Sequence, residues 1–393
     1  MFFQPVGYFP ELGAIRPLRT TAFIALISYI LAGEKSERKF FEAKETKAFL
    51  GFVIVQIISA SFLWLQYGYE MANSWVKTGI IYFLIVMLCN HYKRVEWIFL
   101  AIISGIVWLS KYSVTRYFQE HALGNDSWRA RGFGWFDGTN DIAMILVAVI
   151  PLAFYFIETR PNFLIKGLFA SFIGLFSVNL MLTGSRGGLL GFLATSSLCV
   201  IGSKTLLKPL KIVVFVLAFA LAVPMGINIV KQRSDVVQGS YTQDESAQNR
   251  IIQWKAGIQM LIHNPLFGVG PEQFPHFSRD YGGIANLAPH NTVIQVFAES
   301  GFPGGILFIL MSYFILKDFR FYVRDPVLEE THETELTLYR YLSYSLIGFW
   351  VCAFFSNRNQ SDILYVTMAL IVAVKFLFHE NENDEPEQSD YHY

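Results

Sequence analysis

Long apolar runs separated by short charged stretches set the rhythm of this chain. The runs Ala48–Tyr69, Gly167–Ser185 and Ile212–Val230 contain no Asp, Glu, Lys or Arg. At about 20 residues per bilayer crossing, each is long enough to span a membrane as a helix. Reading apolar runs between charged punctuation predicts about eleven spans, near 14–32, 48–67, 75–90, 97–113, 138–157, 163–183, 187–203, 211–230, 302–316, 339–355 and 361–378. A transmembrane β-barrel would instead alternate apolar and polar residues over strands of about ten. The predicted fold class is therefore an all-α polytopic membrane protein, with helices 1–230 and 301–378 flanking a polar segment at 231–300 and an acidic tail at 379–393.

Composition agrees with the pattern. Of 393 residues, 53% are hydrophobic and 16% charged, against roughly 25% charged in an ordinary soluble domain. The 31 basic and 31 acidic residues cancel, so no basic field points to nucleic acid. Cys89, Cys199 and Cys352 fall in or beside apolar runs without metal-ligand spacing, which predicts neither disulfide nor zinc. The opening MFFQPVGYFPEL lacks the basic start of a cleaved signal peptide.

Charge placement predicts orientation. Alternate loops carry Lys35, Arg38, Lys39, Lys44 and Lys47; Lys93 and Arg94; Arg160 and Lys166; Lys204, Lys208 and Lys211; and Lys317, Arg320, Arg324 and Arg340. By the positive-inside rule these face the cytoplasm, and so does the tail. The turns YGYEMANSW and SNRNQSD, the 114–137 loop and the 231–300 segment face outward, as does the N-terminus.

The outward segment carries the candidate chemistry. From Asp244 to His263, Ile251, Trp254, Ile258, Leu261 and Ile262 recur at helical spacing until Asn264-Pro265. Arg250 and Trp254, four apart, share a face on which an indole can hold a cation. The blander reading is a surface arginine on a helix lying along the membrane. Gly268-Val269-Gly270 makes a tight turn, too little for a dinucleotide fingerprint. A further helix is expected after Pro289, with Asn291, Gln295 and Glu299 on one polar face and Gly301 and Pro303 at its end. His290 stands at its start, where the helix dipole favours a neutral, proton-accepting ring; the alternative is a structural histidine.

Arg186, in LTGSRGG, sits between two apolar runs with almost no loop. A charge there demands a partner, a cavity or the interface. Arg129 and Arg131 lie in SWRARGFGWFDGTND, ahead of a span opening at Asn140, and approach the same face. Arginines beside a neutral histidine suit an anionic, phosphate-bearing ligand, because guanidinium binds phosphate bidentately and stays charged. Without a clear carboxylate cluster, the arginines themselves supply the cations, and neither metal nor cofactor is expected.

The series RGFGWFDGTNDIA, LTGSRGG, QNRIIQW, HNPLFGVGPEQF and PHNTVIQVFAESGFPGG resembles the bacterial O-antigen ligase and O-antigen polymerase superfamily of integral-membrane glycosyltransferases. The resemblance runs from about residue 8 to 378 and is most specific in its C-terminal half, where the motifs follow in order. It implies a GT-C-like helical bundle. The opening FFQPVGYFPELGAIRPLR is similar to the stretch after the family's first helix, which would account for an outward N-terminus. The implied donor is a glycan joined through diphosphate to undecaprenol; the implied acceptor is a hydroxyl of lipid A core, of a protein, or of a second lipid-linked glycan. Carried over by motif, Arg186, Arg250 and His290 become the catalytic set, with Arg129, Arg131, Asn140, Trp254, Asn291 and Glu299 binding substrate. The expected place is the bacterial inner membrane, among its lipids, with the site facing the periplasm. The competing reading is a transporter or flippase of lipid-linked saccharides, which would bind the lipid phosphate without cleaving it. Against it stands the lack of a visible internal repeat. Neither HExxH nor GxSxG supports an intramembrane protease.

Overall fold

The computed structural model describes residues 17–32, 38–63, 65–205, 243–358 and 360–380. Among these residues every regular element is helical. In chain order the helices are α1 (Pro17–Ala32), α2 (Lys44–Ser61), α3 (Leu65–Leu88), α4 (Tyr92–Ala122), α5 (Thr139–Thr159), α6 (Phe163–Thr183), α7 (Arg186–Gly202), α8 (Gln243–His263), α9 (Phe274–Phe277), α10 (Thr292–Tyr322), α11 (Pro326–Thr331), α12 (Glu333–Ala353) and α13 (Asp362–Glu380). Five of them, α3 to α6 and α10, are long and apolar enough to cross a membrane, and α7 is a shorter apolar helix. The chain is a polytopic helical membrane protein. The expected span at 211–230, the acidic tail beyond 380 and the opening FFQPVGYFP lie outside the described residues.

Helix α5 is the axis. It packs against α6, α7 and α12, while α2 packs on α3 and α10, and α13 on α3 and α12. Its sequence is apolar on all sides, as a helix surrounded by others must be, and Ile142 to Ala153 are almost wholly buried. By contrast α6 leaves Phe163, Leu164, Leu168 and Val178 exposed, the composition of a face toward lipid. Small residues set the closest contacts. A Cβ on Gly188 would come within 2.6 Å of the Ala143 methyl, and one on Gly191 within 2.4 Å of the Cys352 sulfur. The glycines of SRGGLLG thus let α7 lie directly against α5 and α12.

Two expected boundaries move and a third holds. The YGYEMANSW stretch is not a turn but the opening of α3; the chain reverses earlier, after Ser61. Glu70 and Asn73 are polar without breaking a helix, so polarity alone mislocated the turn. Helix α4 runs on to Ala122 into the expected 114–137 loop, with Arg116 and Glu120 ion-paired one turn apart. As expected, the helix from Thr292 is interrupted at Gly301, at φ 68° and ψ −171°, and a second helical stretch of α10 runs on from there to Tyr322. Pro303 is tolerated because it falls in the first turn after the kink, where its missing N–H has no helical partner to lose.

Candidate active site at the helix ends

One end of the bundle gathers the start of α5, the α6–α7 turn, the start of α10 and the α12–α13 turn, with α8 packed over them. The α6–α7 turn is built to present Arg186. Gly184 closes α6 in the left-handed conformation, and the Ser185 hydroxyl caps α7 by accepting from the Gly188 N–H at 3.1 Å. Arg186 is the first residue of α7 and its side chain is exposed. Two residues expected to bind substrate hold this turn. Arg129 Nε donates to the Thr183 carbonyl at 2.6 Å, and Asn140 Oδ1 accepts from the Ser185 hydroxyl at 2.8 Å. The Arg131 guanidinium stacks on the Trp128 ring, 4.0 Å from its centroid. Arg129 and Asn140 thus support the turn that carries Arg186.

Helix α8 spans Gln243–His263, and one turn of it serves the site. Gln253, wholly buried, accepts from the Ser278 hydroxyl at 2.6 Å and the Ile284 N–H at 2.9 Å, and donates to the Ile284 and Leu287 carbonyls. Trp254 does not clasp Arg250; its indole N–H donates to the Pro289 carbonyl at 2.9 Å. The helix therefore fixes the chain just ahead of His290. Its apolar positions do not all turn inward. Ile251, Ile258 and Ile262 are exposed, whereas Ala256 and Met260 are buried.

His290 adopts φ +50°, a left-handed backbone uncommon for a residue with a Cβ. Such local strain concentrates where surrounding structure holds a functional side chain in place. Asn291 follows as the α10 cap, its Oδ1 accepting from the Ile294 N–H at 3.0 Å. The Asn357 side chain hydrogen-bonds the His290 ring, while Nδ1 is buried with no partner. Burial and then the charge of Arg250 hold the imidazole below its ordinary value, against the pull of Asp141 and Asn357. The neutral ring expected from the helix dipole thus has other, identifiable causes. Arg250 is itself lowered, by burial and then by the Arg186 charge beside it. Arg186, Arg250 and His290, separated by up to 104 positions, share one electrostatic neighbourhood. Neither arginine meets a carboxylate among the described residues.

Glu299 is buried at 0% exposure and accepts from the Gln295 amide at 3.0 Å and the Phe274 N–H at 3.3 Å. Its carboxylate is a pillar for the GPEQF turn. The glycines around it permit the backbones to touch: a Cβ on Gly301 would lie 2.6 Å from the Pro265 carbonyl oxygen. The Val269 and Gly270 N–H groups donate to the Ala298 and Glu299 carbonyls at 2.9 and 3.0 Å.

The structure adds residues that sequence reasoning passed over. Arg358, in the SNRNQSD turn treated as bare, makes a two-pronged ion pair with Asp141; its Nε donates to Oδ1 at 2.6 Å. Burial works against the Arg358 charge, but the Asp141 hydrogen bond and charge outweigh it and raise its value. Thr292 ties the same turn to α10, donating to the Ser356 carbonyl at 2.8 Å and accepting from the Arg358 N–H at 3.1 Å. A cavity of about 260 Å³ opens here, bordered by Asp141, Glu272, Gln295, Asn357 and Arg358. Arg358 carried the same signal as Arg186, a cation in a turn between apolar runs.

Residues 169–309 match the family model for O-antigen ligase, from within α6 to beyond the α10 kink. Over that stretch the chain is similar to the O-antigen ligase domain. A search of curated proteins returns no match to the chain. The matched stretch contains Arg186, Arg250 and His290, and with them Trp254, Asn291 and Glu299. It leaves outside Arg129, Arg131, Asn140, Asp141 and Arg358, which the fold brings to the same end of the bundle. At the family level the match implies membrane glycosyl transfer of O-antigen ligase or polymerase type, with a lipid-linked glycan and an acceptor as substrates.

Proposed function

We propose that the protein transfers a saccharide from an undecaprenyl-diphosphate-linked donor to an acceptor hydroxyl, on the periplasmic side of the bacterial inner membrane. The observation that carries this reading is the meeting of two guanidiniums, without a carboxylate partner among the described residues, beside a histidine held toward its neutral form. Two cations at close quarters repel, and a site that keeps them so is complementary to an anion with at least two charges.

In the proposed reaction the acceptor oxygen attacks the anomeric carbon, the bond to the diphosphate oxygen breaks, and the leaving electron pair stays on the diphosphate. Arg186 and Arg250 stabilise that charge where it develops, supplying positive charge without a metal. His290 takes the hydroxyl proton on a ring nitrogen, which its depressed pKa leaves unprotonated at neutral pH. Asn357 orients the ring, and Trp254 and Gln253 hold the segment that carries it. Lipid A core, a protein side chain and a second lipid-linked glycan all offer the needed hydroxyl.

The test is product formation by purified protein from undecaprenyl-diphosphate-linked oligosaccharide, in parallel reactions with lipid A core and without added acceptor. A glycan joined to the core marks a ligase, and a lengthened lipid-linked glycan marks a polymerase. Failure of the intact protein to cleave the donor in any of them would overturn the proposal and favour a carrier.

A further inference from the structure

The 260 Å³ cavity beside His290 differs in chemistry from the arginine side. Three carboxylates, Asp141, Glu272 and Asp362, and three amides, Gln295, Asn357 and Gln360, face it, above an apolar base formed by Phe136 and Met144. Its one cation, Arg358, is already paired to Asp141. Hydrogen-bond acceptors are therefore in excess. Gln295 makes the excess concrete: it is 5% exposed, its amide nitrogen is committed to Glu299, and its Oε1 has no partner. A buried carbonyl oxygen without a donor is costly, and a ligand that brings a donor relieves the cost.

The volume is that of about nine liquid waters, the scale of one sugar ring. A diphosphate is unsuited to it, since carboxylates repel phosphate and the only guanidinium is neutralised. A polyhydroxylated ring offers hydroxyl donors to the carboxylates and Gln295, with its C–H face toward Phe136. Two lining residues, Asp141 and Asn357, act directly on His290, so a ring seated here presents its hydroxyls near the proposed base.

We propose that this cavity is the acceptor subsite, and that it takes an uncharged sugar ring through its hydroxyls in preference to an anionic sugar. The proposal names the acceptor's chemical class and rests on the glycosyl-transfer reading. It separates donor and acceptor by charge: the diphosphate on Arg186 and Arg250, the acceptor ring among carboxylates and amides, and His290 between them.

The experiment uses full-length protein in lipid nanodiscs, with saturation-transfer NMR on methyl glucoside, methyl galactoside, N-acetylglucosamine, glucosamine and glucuronate at millimolar concentration. Binding of radiolabelled undecaprenyl diphosphate is measured in the same preparations. The uncharged sugars are expected to bind and glucuronate to bind at least tenfold more weakly. Gln360→Trp, which fills the cavity from its rim, should weaken the uncharged sugars at least tenfold and leave diphosphate binding unchanged. Glu272→Gln, a milder change, should narrow the preference against glucuronate. Retained diphosphate binding shows that each variant is folded. Sugar binding that survives Gln360→Trp, glucuronate binding as well as glucoside, or binding of glucosamine alone would each overturn the proposal. Sugar binding in a protein that ignores undecaprenyl diphosphate would sink the donor reading and leave the sugar site standing.

Discussion

The two ends of the bundle use charge in opposite ways. At the end rich in loop lysines and arginines, cations close onto carboxylates. Arg160 meets Glu96 at 2.6 Å, Lys204 meets Glu329 at 2.9 Å and Glu333 at 3.3 Å, and Lys375 pairs with both Glu45 and Asp318. These pairs join α4 to α5, α7 to the α11–α12 segment, and α13 to α2 and α10, so they pin helices together. At the other end Arg358 is paired in the same fashion with Asp141, but Arg250 is lowered by burial and then by the charge of Arg186. Charge that staples a fold is neutralised locally, whereas charge held for a ligand is kept apart from its own counter-ions at a cost to the free protein. On the proposed function, that difference would mark the site more surely than the arginines' presence.

The largest expected effect follows from the histidine between those cations and the carboxylate-lined cavity. His290→Ala should lower product formation by about 10²–10⁴-fold, the range for losing a general base, while undecaprenyl diphosphate still binds. His263 and His276 lie outside this cluster, and their alanine variants should keep near-native rates. The pH profile sharpens the test. A depressed pKa keeps the ring neutral to lower pH, so activity should fall on the acid side below the value of about 6.5 for a free imidazole. A fall at or above 6.5 would contradict the burial and Arg250 charge that define its setting.

Next come the cations. Arg186→Ala and Arg250→Ala should each cost about 10²–10³ in turnover, as for the loss of a preorganised charge partner, with little loss of stability because neither side chain closes an ion pair among the described residues. Lysine should restore little at either position, since it lacks the planar fork that grips diphosphate. If Arg186→Ala instead unfolds the protein at full specific activity, the two ends are alike and the contrast fails.

The cation–histidine half of the candidate site could be nominated from the sequence, and the reason is local. Arg186 interrupts an apolar stretch, Arg250 heads a periodic helix, and His290 stands at a helix start, so each announces itself within about ten neighbours. The carboxylate half was not. Asp141 and Arg358 acquire their meaning from a pairing across 217 positions, and Gln295, noted as one of a polar face, says nothing by itself about a cavity assembled from α5, α10 and the α12–α13 turn. The helical class and most helix positions followed from periodicity because hydrophobicity is a per-residue property. The break at Gly301 was legible too, because Gly and Pro punctuate a helix locally, whereas the reversal after Ser61 was not, since the polar residues beyond it do not break a helix.

At the stapled end the order of effects reverses, with stability moving and chemistry staying. Lys375→Met removes the cation that pairs with both Glu45 and Asp318, and the Glu45 side chain is 3% exposed. Stranding a buried carboxylate costs about 3–5 kcal/mol, read as a lower apparent Tm in detergent. Molecules that remain folded should transfer sugar at the native rate.

The smallest effect is expected at Lys204, whose two ion pairs lie in water: its side chain is 36% exposed, and those of Glu329 and Glu333 are 52% and 69% exposed. Pairs of this kind gain little Coulomb energy in a high dielectric, lose side-chain freedom, and are screened by salt, so many contribute nothing measurable. Lys204→Ala should leave thermal stability within experimental scatter at physiological salt, and a double-mutant cycle with Glu329→Gln should show a coupling that vanishes as ionic strength rises. The turn itself is secured by other means, since Glu158 accepts from the Thr205 hydroxyl at 3.0 Å and from the Lys204 N–H, and alanine keeps that N–H. Activity should be unchanged, because this end lies a full helix length from His290. A Lys204→Ala protein that is folded but tenfold slower would show that the ion pairs at the stapled end govern the reaction at the other, and the division of labour between the two ends would have to be abandoned.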